Sequence, residues 1–234
     1  MKHLAILQQG LDLLFPPACI ACKRTGSVLC STCQDSIARF VPPLCQRCGS
    51  TQIVQGVCQL CRRHTLHLSG LRAVGPYTEP LRTCIHALKY TGTTRLAEPL
   101  GSILAQTARY YGMNADLLIP VPLHATRQQE RGYNHAALLT QACARQLGIA
   151  FCNDMLIRTR DTAAQVHLSA EARQQNMVDA FACTSAYATG ALHKRRIVII
   201  DDVCTTGATL EACAEPLFVA GAAVVLGLVL ARPQ

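Results

Sequence analysis

Tryptophan is absent from these 234 residues, and all aromatics together make up 5% of the chain. Few rings are therefore available for a surface built on base stacking. Charge is scarce as well: 15% of residues are Asp, Glu, Lys or Arg, while half are hydrophobic. That is enough apolar material for a core and too few charges for a disordered chain. No apolar run approaches the ~20 residues of a membrane-spanning helix. The opening Met1–Leu7 imitates a signal peptide, but Gln8, Gln9 and Asp12 cut the apolar stretch short. Leu4, Leu7, Leu11 and Leu14 recur instead at helical spacing, ahead of the stop at Pro16-Pro17. The expectation is a short amphipathic helix on a soluble, cytoplasmic protein with no membrane span.

Cysteine is abundant, with fourteen residues, but its arrangement argues against a secreted disulfide scaffold. Eight form four Cys-x-x-Cys pairs: Cys19/Cys22, Cys30/Cys33, Cys45/Cys48 and Cys58/Cys61. Paired knuckles of this spacing suit tetrahedral thiolate ligation of Zn²⁺. The simplest pairing is sequential, the first two pairs on one ion and the last two on another. A cross-braced pairing uses the same spacing, and iron–sulfur ligation is the lesser alternative. His64 and His67 are surplus to eight thiolates. The formal charge of +8 shrinks accordingly. Eight thiolates and two zinc ions contribute a net charge of about −4, leaving about +4 on the whole chain. Most of the apparent basic patch disappears.

Residues 1–69 read as a double zinc ribbon with its short N-terminal helix, in which metal substitutes for a core. From residue 70 to 234, strand and helix patterns alternate, predicting an α/β domain with a parallel sheet. Strands are expected at 71–77, 117–122 and 222–230, and helices near 79–88, 95–111 and 134–147. Residues 158–177 read as a polar loop able to close over a site.

Residues 197–209, Ile-Val-Ile-Ile-Asp-Asp-Val-Cys-Thr-Thr-Gly-Ala-Thr, are the most informative stretch. The β-branched run fits a central strand buried on both faces. Asp201 and Asp202 then stand at its carboxyl end, where open α/β sheets place ligands. Thr205, Thr206, Gly207, Ala208 and Thr209 form a turn opening a helix, and its amides suit a phosphate. Acids beside a phosphate cradle call for a ligand with hydroxyls, a metal, or both. A ribose 5-phosphate meets that requirement.

The segment resembles the phosphoribosyl pyrophosphate (PRPP) signature of type I phosphoribosyltransferases, with Cys204 where an aliphatic residue is usual. Three further blocks accompany it. His86-Ala-Leu-Lys89-Tyr90-Thr-Gly92 offers a cation and a flexible turn for a pyrophosphate; the same residues also describe a helix ending in a well-placed Lys and Gly. Ile119-Pro-Val-Pro-Leu-His124 leads to Arg127, Arg131, Gly132, Tyr133 and Asn134, the last a helix cap. Arg158-Thr-Arg-Asp-Thr162 leads to Gln165, Leu168, Arg173 and Asn176.

With the knuckles, these blocks resemble the ComF family from Cys19 to Arg232. The resemblance implies a double zinc ribbon fused to a type I phosphoribosyltransferase-like domain and a link to natural competence or DNA utilisation. It implies that PRPP binds with Mg²⁺, Asp201 and Asp202 taking the ribose hydroxyls and stabilising the reacting sugar. The 205–209 turn takes the 5′-phosphate; Lys89, Tyr90, Gly92 and Arg131 lie toward the pyrophosphate. The ribbons offer a surface for single-stranded DNA or DNA-uptake proteins. A DNA-binding module and a non-catalytic PRPP sensor are the alternatives to an enzyme. Cys204 reads as a small buried residue, or else as a reactive thiol.

Overall fold

A computed structural model describes residues 16–63, 67–160, 177, 179–187 and 190–233. The expected N-terminal helix, His64 and nearly all of the polar loop lie outside these residues. The knuckles hold two single-turn helices, α1 (Ser31–Asp35) and α2 (Gln59–Arg63). Next come β1 (Gly70–Pro76), α3 (Leu81–Tyr90), a 3₁₀ turn at Thr94–Leu96, and α4 (Ala97–Tyr110). They are followed by β2 (Leu117–Pro120), α5 (Ala125–Arg131), α6 (His135–Leu147) and β3 (Ala150–Phe151). A hairpin of β4 (Leu156–Arg158) and β5 (Phe181–Cys183) precedes β6 (Arg196–Val203), α7 (Ala208–Val219) and β7 (Val224–Arg232).

Five strands form one parallel sheet in the order β1-β7-β6-β2-β3. Side-chain alternation in β6 explains the layers on its two faces. Val198 and Ile200 point into an apolar cluster with α3, α4 and α6, whereas Ile197 and Ile199 point into a second cluster with α7. All four are essentially inaccessible, so the β-branched run is buried from both sides as expected. After β2 the chain moves toward β3, and after β6 it moves toward β7. The C-terminal ends of β2 and β6 therefore flank a switch point, the crevice in which open parallel sheets hold ligands.

The ribbons are built onto this sheet. Cys19, Leu29 and Ile37 share the apolar cluster of α3 and α4. Phe40 N–H donates to the Val74 carbonyl (2.8 Å), and Leu71 N–H donates to the Arg47 carbonyl (2.8 Å). A Cβ on Gly75 would stand 1.8 Å from the Ala38 carbonyl oxygen, so only glycine permits this approach.

Candidate functional site

Buried β6 delivers its acidic pair to the switch point. Asp202 is 2% exposed, while the Asp201 side chain keeps 16% of its surface. Asp201 Oδ1 accepts the Asp202 N–H (2.9 Å), and Asp202 Oδ1 accepts the Val203 N–H (2.7 Å), which fixes both carboxylates against the backbone. Lys89 reaches in from the last turn of α3, its Nζ 2.6 Å from Asp202 Oδ2. His135, the first residue of α6, is buried with Nε2 3.6 Å from Asp202 Oδ2 and 3.9 Å from Asp201 Oδ1. Asn134 sets that ring in place: it caps α6 through the Ala136 N–H (2.9 Å) and donates to the Val121 carbonyl beyond β2 (3.0 Å). Arg131, at the end of α5, brings Nη1 to 3.4 Å from His135 Nδ1 and holds its guanidinium 5.1 Å from the Tyr90 ring centre. Tyr90 in turn meets the His86 ring at 4.8 Å and remains exposed.

The two acids differ electrostatically. Burial, then the neighbouring Asp202 charge, pushes Asp201 up to about 6. Burial acts the same way on Asp202, but Lys89 and then His135 overcome it and hold that carboxyl well below the ordinary range. Lys89 shows the reciprocal effect. Burial favours its neutral amine, yet the Asp202 and Asp201 charges raise it above its usual value. The ammonium thus already supplies a cation to the His135–Asp201–Asp202 cluster, whose ligand atoms lie within 4.8 Å of one another. A divalent ion fits this site as cargo of an incoming anion better than as a resident of the cluster.

Beyond Val203 the chain turns into α7. Gly207 is the N-cap with φ +92°, a left-handed conformation that favours glycine. The Thr206 hydroxyl accepts the Ala208 N–H (3.3 Å), and Cys204 N–H donates to the Ala231 carbonyl (3.0 Å). A hollow of about 20 Å³ is bounded by Asp201 and residues 203–210. Cys204 is buried, and burial pushes its thiol up to about 12, which makes it a small apolar residue here.

Of the two readings of His86–Gly92, the structure shows the helix end: His86–Tyr90 is the closing turn of α3, so Lys89 is directed at Asp202 by the helix itself and not held in a separate pyrophosphate loop. Gly92, φ +69°, is part of the turn that ends the helix. Residues 125–131, for which no element is expected, form helix α5, capped by the His124 ring and closed by Gly132 at φ +74°. His135 stands out in the sequence only as a departure from the family pattern, where glutamine is usual, and nothing local to it points to the acids of β6.

The eight knuckle cysteines gather in two sets: Cys19, Cys22, Cys30 and Cys33, and Cys45, Cys48, Cys58 and Cys61. The pairing is sequential, and all eight thiols are free of disulfides. Tetrahedral Zn–S bonds of ~2.3 Å imply S···S edges of ~3.8 Å. Cys22 Sγ and Cys30 Sγ are 3.7 Å apart, and Cys48 Sγ and Cys58 Sγ 3.5 Å. Backbone N–H groups of Cys30 and Cys58 point at Cys19 Sγ and Cys45 Sγ (3.5 and 3.4 Å), as thiolates require. The donors fit two Zn²⁺ ions. Ribbon two also touches the end of the sheet, where Arg232 donates to the Cys48 carbonyl (2.6 Å).

Residues 10–63 match the family model described as a double zinc ribbon domain. DNA utilization protein YhgH of Salmonella typhimurium is 34% identical over 223 residues, 91% of this chain and 96% of that protein. Competence protein F of Haemophilus influenzae is 34% identical over 203 residues, 82% and 87% of the two chains. Competence protein ComFC of Bacillus subtilis is 27% identical over 83% of this chain and 80% of its own. Among solved structures, one described as the allosteric regulatory enzyme of purine biosynthesis is 16% identical with a TM-score of 0.42. That match covers 62% of this chain and 30% of the enzyme. Among the described residues, no helix is long and apolar enough to cross a membrane.

Proposed function

Since this chain belongs to the ComF family, with Competence protein F and DNA utilization protein YhgH, we propose that it binds Mg²⁺·PRPP and transfers phosphoribose to an acceptor, releasing pyrophosphate. One observation carries the reading: at the end of β6, a partly open carboxylate borders a glycine-capped turn at the start of a twelve-residue helix. The amides and hydroxyls of Thr205, Thr206, Gly207, Ala208 and Thr209 hold the 5′-phosphate at the positive end of α7. Asp201, the more exposed acid, accepts from the ribose diol; Asp202, paired with Lys89, holds the charge balance behind it. Arg131 and Tyr90 border the pyrophosphate side, with Gly92 in the turn beyond Tyr90.

Mg²⁺ carried in with PRPP offsets charge on the pyrophosphate. The acceptor's lone pair forms its bond to C1′ as the C1′–O bond breaks. Pyrophosphate leaves with that electron pair, and the acceptor's proton passes to solvent. Positive charge developing on the ribose faces the fixed Asp201 carboxylate, a preorganised electrostatic contribution. In this reading the protein acts in the cytoplasm on DNA taken up or utilised by the cell. The relatives' names support that context.

Calorimetric titration of Mg²⁺·PRPP into the parent and Asp201→Asn, with pyrophosphate release followed alongside, tests the proposal. Saturable binding that is lost in the variant supports it, and no binding by the parent refutes it. Binding without pyrophosphate release across nucleobases and DNA identifies a PRPP sensor. A second reading, binding of single-stranded DNA through the ribbons, draws on the absence of any carboxylate between Asp35 and Glu79. Affinity falling steeply with salt supports that role, and salt-insensitive or absent binding dismisses it.

A further inference from the structure

Ribbon two does more than cover the sheet. Between it and the phosphate turn lies a cleft of about 760 Å³, within the ~300–1,000 Å³ typical of small-molecule sites. It opens onto Thr205, the first residue of that turn, and is bounded on the sheet side by Arg232 at the end of β7. Phe40 and Ile53 give it an apolar floor. The side chains of Gln52 and Gln59 add amide donors and acceptors to its wall.

Arg62 and Arg232 line the cleft and no carboxylate does, while Cys58 of the second tetrathiolate set also borders it. Residues 36–78 carry Arg39, Arg47, Arg62, Arg63 and Arg72 and no Asp or Glu. The zinc–tetrathiolate of ribbon two contributes about −2, so the region stays near +3. Arg62 uses Nη2 on the Val54 carbonyl and Gln55, and Arg232 uses Nη1 on the Cys48 carbonyl, out of five N–H donors on each guanidinium. With the apolar floor and the amide-lined walls, their further donors suit a flat, hydrogen-bonding, anionic ligand.

We propose that this cleft is the acceptor site, with ribbon two as its outer wall, and that the acceptor is a nucleoside monophosphate unit. The unit is either a free nucleotide or the 5′-phosphorylated end of a single strand; both offer a heterocycle to the floor and a phosphate to the arginines. The acceptor role rests on the phosphoribosyl-transfer reading, whereas occupancy of the cleft does not.

The probes are deoxyadenosine monophosphate and a short 5′-phosphorylated oligodeoxynucleotide, titrated into the zinc-loaded full chain. Two variants report on the cleft: Arg62→Glu reverses one charge, and Gln52→Trp fills the space from an exposed position. Both are compared at equal zinc content, which verifies that the ribbon is intact. Saturable binding of either probe, weakened at least about tenfold in both variants with Mg²⁺·PRPP affinity unchanged, is the expected result. Whichever probe saturates identifies the source of the ligand. Failure of both probes to saturate, or unchanged binding by Gln52→Trp, overturns the assignment of the cleft. Failure of the parent to bind PRPP overturns transfer instead, so the two ideas fail separately.

Discussion

Replacing Lys89 by Met removes the only ammonium in contact with Asp202 among the described residues and leaves a nearly inaccessible carboxylate facing a thioether. Breaking a buried ion pair from one side commonly costs ~3–5 kcal/mol, because the surviving charge is uncompensated. Protonation sets a ceiling on this loss. Holding a proton at pH 7 on an acid that titrates near 3.9 when unfolded costs ~1.4 kcal/mol per pH unit, or ~4 kcal/mol in all. The expected loss is therefore about 3–4 kcal/mol at pH 7, falling to about 1.5 kcal/mol at pH 5. In the parent the sign is opposite: Asp202 is held below its unfolded value, so its contribution is present above about pH 4 and is lost on acidification. Asp202→Asn should cost less, about 1–2 kcal/mol, since Lys89 is 22% exposed and can turn its head toward water. The double variant Lys89→Met/Asp202→Asn should recover most of the Lys89→Met loss. Urea unfolding of the four proteins at pH 5 and pH 7 measures the cycle. A Lys89→Met loss below about 1 kcal/mol that does not change with pH would refute the ion pair as a structural element.

Other outcomes follow from the same geometry. Burial and the Asp202 charge push Asp201 up to about 6, so the parent's Mg²⁺·PRPP affinity should rise through pH 6 with a one-proton slope, measured by titration between pH 5 and 8, whereas Asp201→Asn should show no binding anywhere in that range. The same raised value predicts that this group's stabilising effect is complete below about pH 4 and fades as pH rises through 6, detectable as a difference in melting profile between parent and Asp201→Asn. Zinc should leave a chelator-treated chain in two phases of equal size. The first-ribbon site, where Cys22 is exposed, should empty before the second, whose four cysteines are all buried. Gly207→Ala meets no atom closer than Cys204 Sγ at 4.0 Å, so it should cost only the left-handed backbone penalty of about 1–2 kcal/mol. Gly75→Ala should cost more, by forcing ribbon and sheet apart, and Tm comparison separates the two.

What the sequence made legible is what short-range chemistry dictates. The β-branched run 197–200 has to be buried on both faces, and Asn134 has to cap a helix, because each constraint is satisfied within a few residues. The two tetrathiolate sets are legible for the same reason, each ligand pair being one knuckle. The central polar cluster escaped notice because it is assembled from three remote segments: Lys89 from the end of α3, His135 from the start of α6 and the acids from β6. None of these residues carries a local signature for its partners. Sequence alone therefore made Lys89 a cation for an incoming pyrophosphate, while the fold turns it toward Asp202. That pairing divides a symmetrical-looking Asp-Asp motif into two unequal groups. Asp202 is paired with the Lys89 ammonium of α3 and stays charged at any physiological pH; Asp201 is left partly open, with its titration shifted toward neutrality. An acid already satisfied by an ammonium has little left to give a ligand, so the ribose hydroxyls should be read by Asp201, and exchanging the two residues' substitutions should not give equivalent proteins. Asp201→Asn should lose PRPP while remaining folded, whereas Asp202→Asn should lose stability first, and equal behaviour of the two would contradict that division.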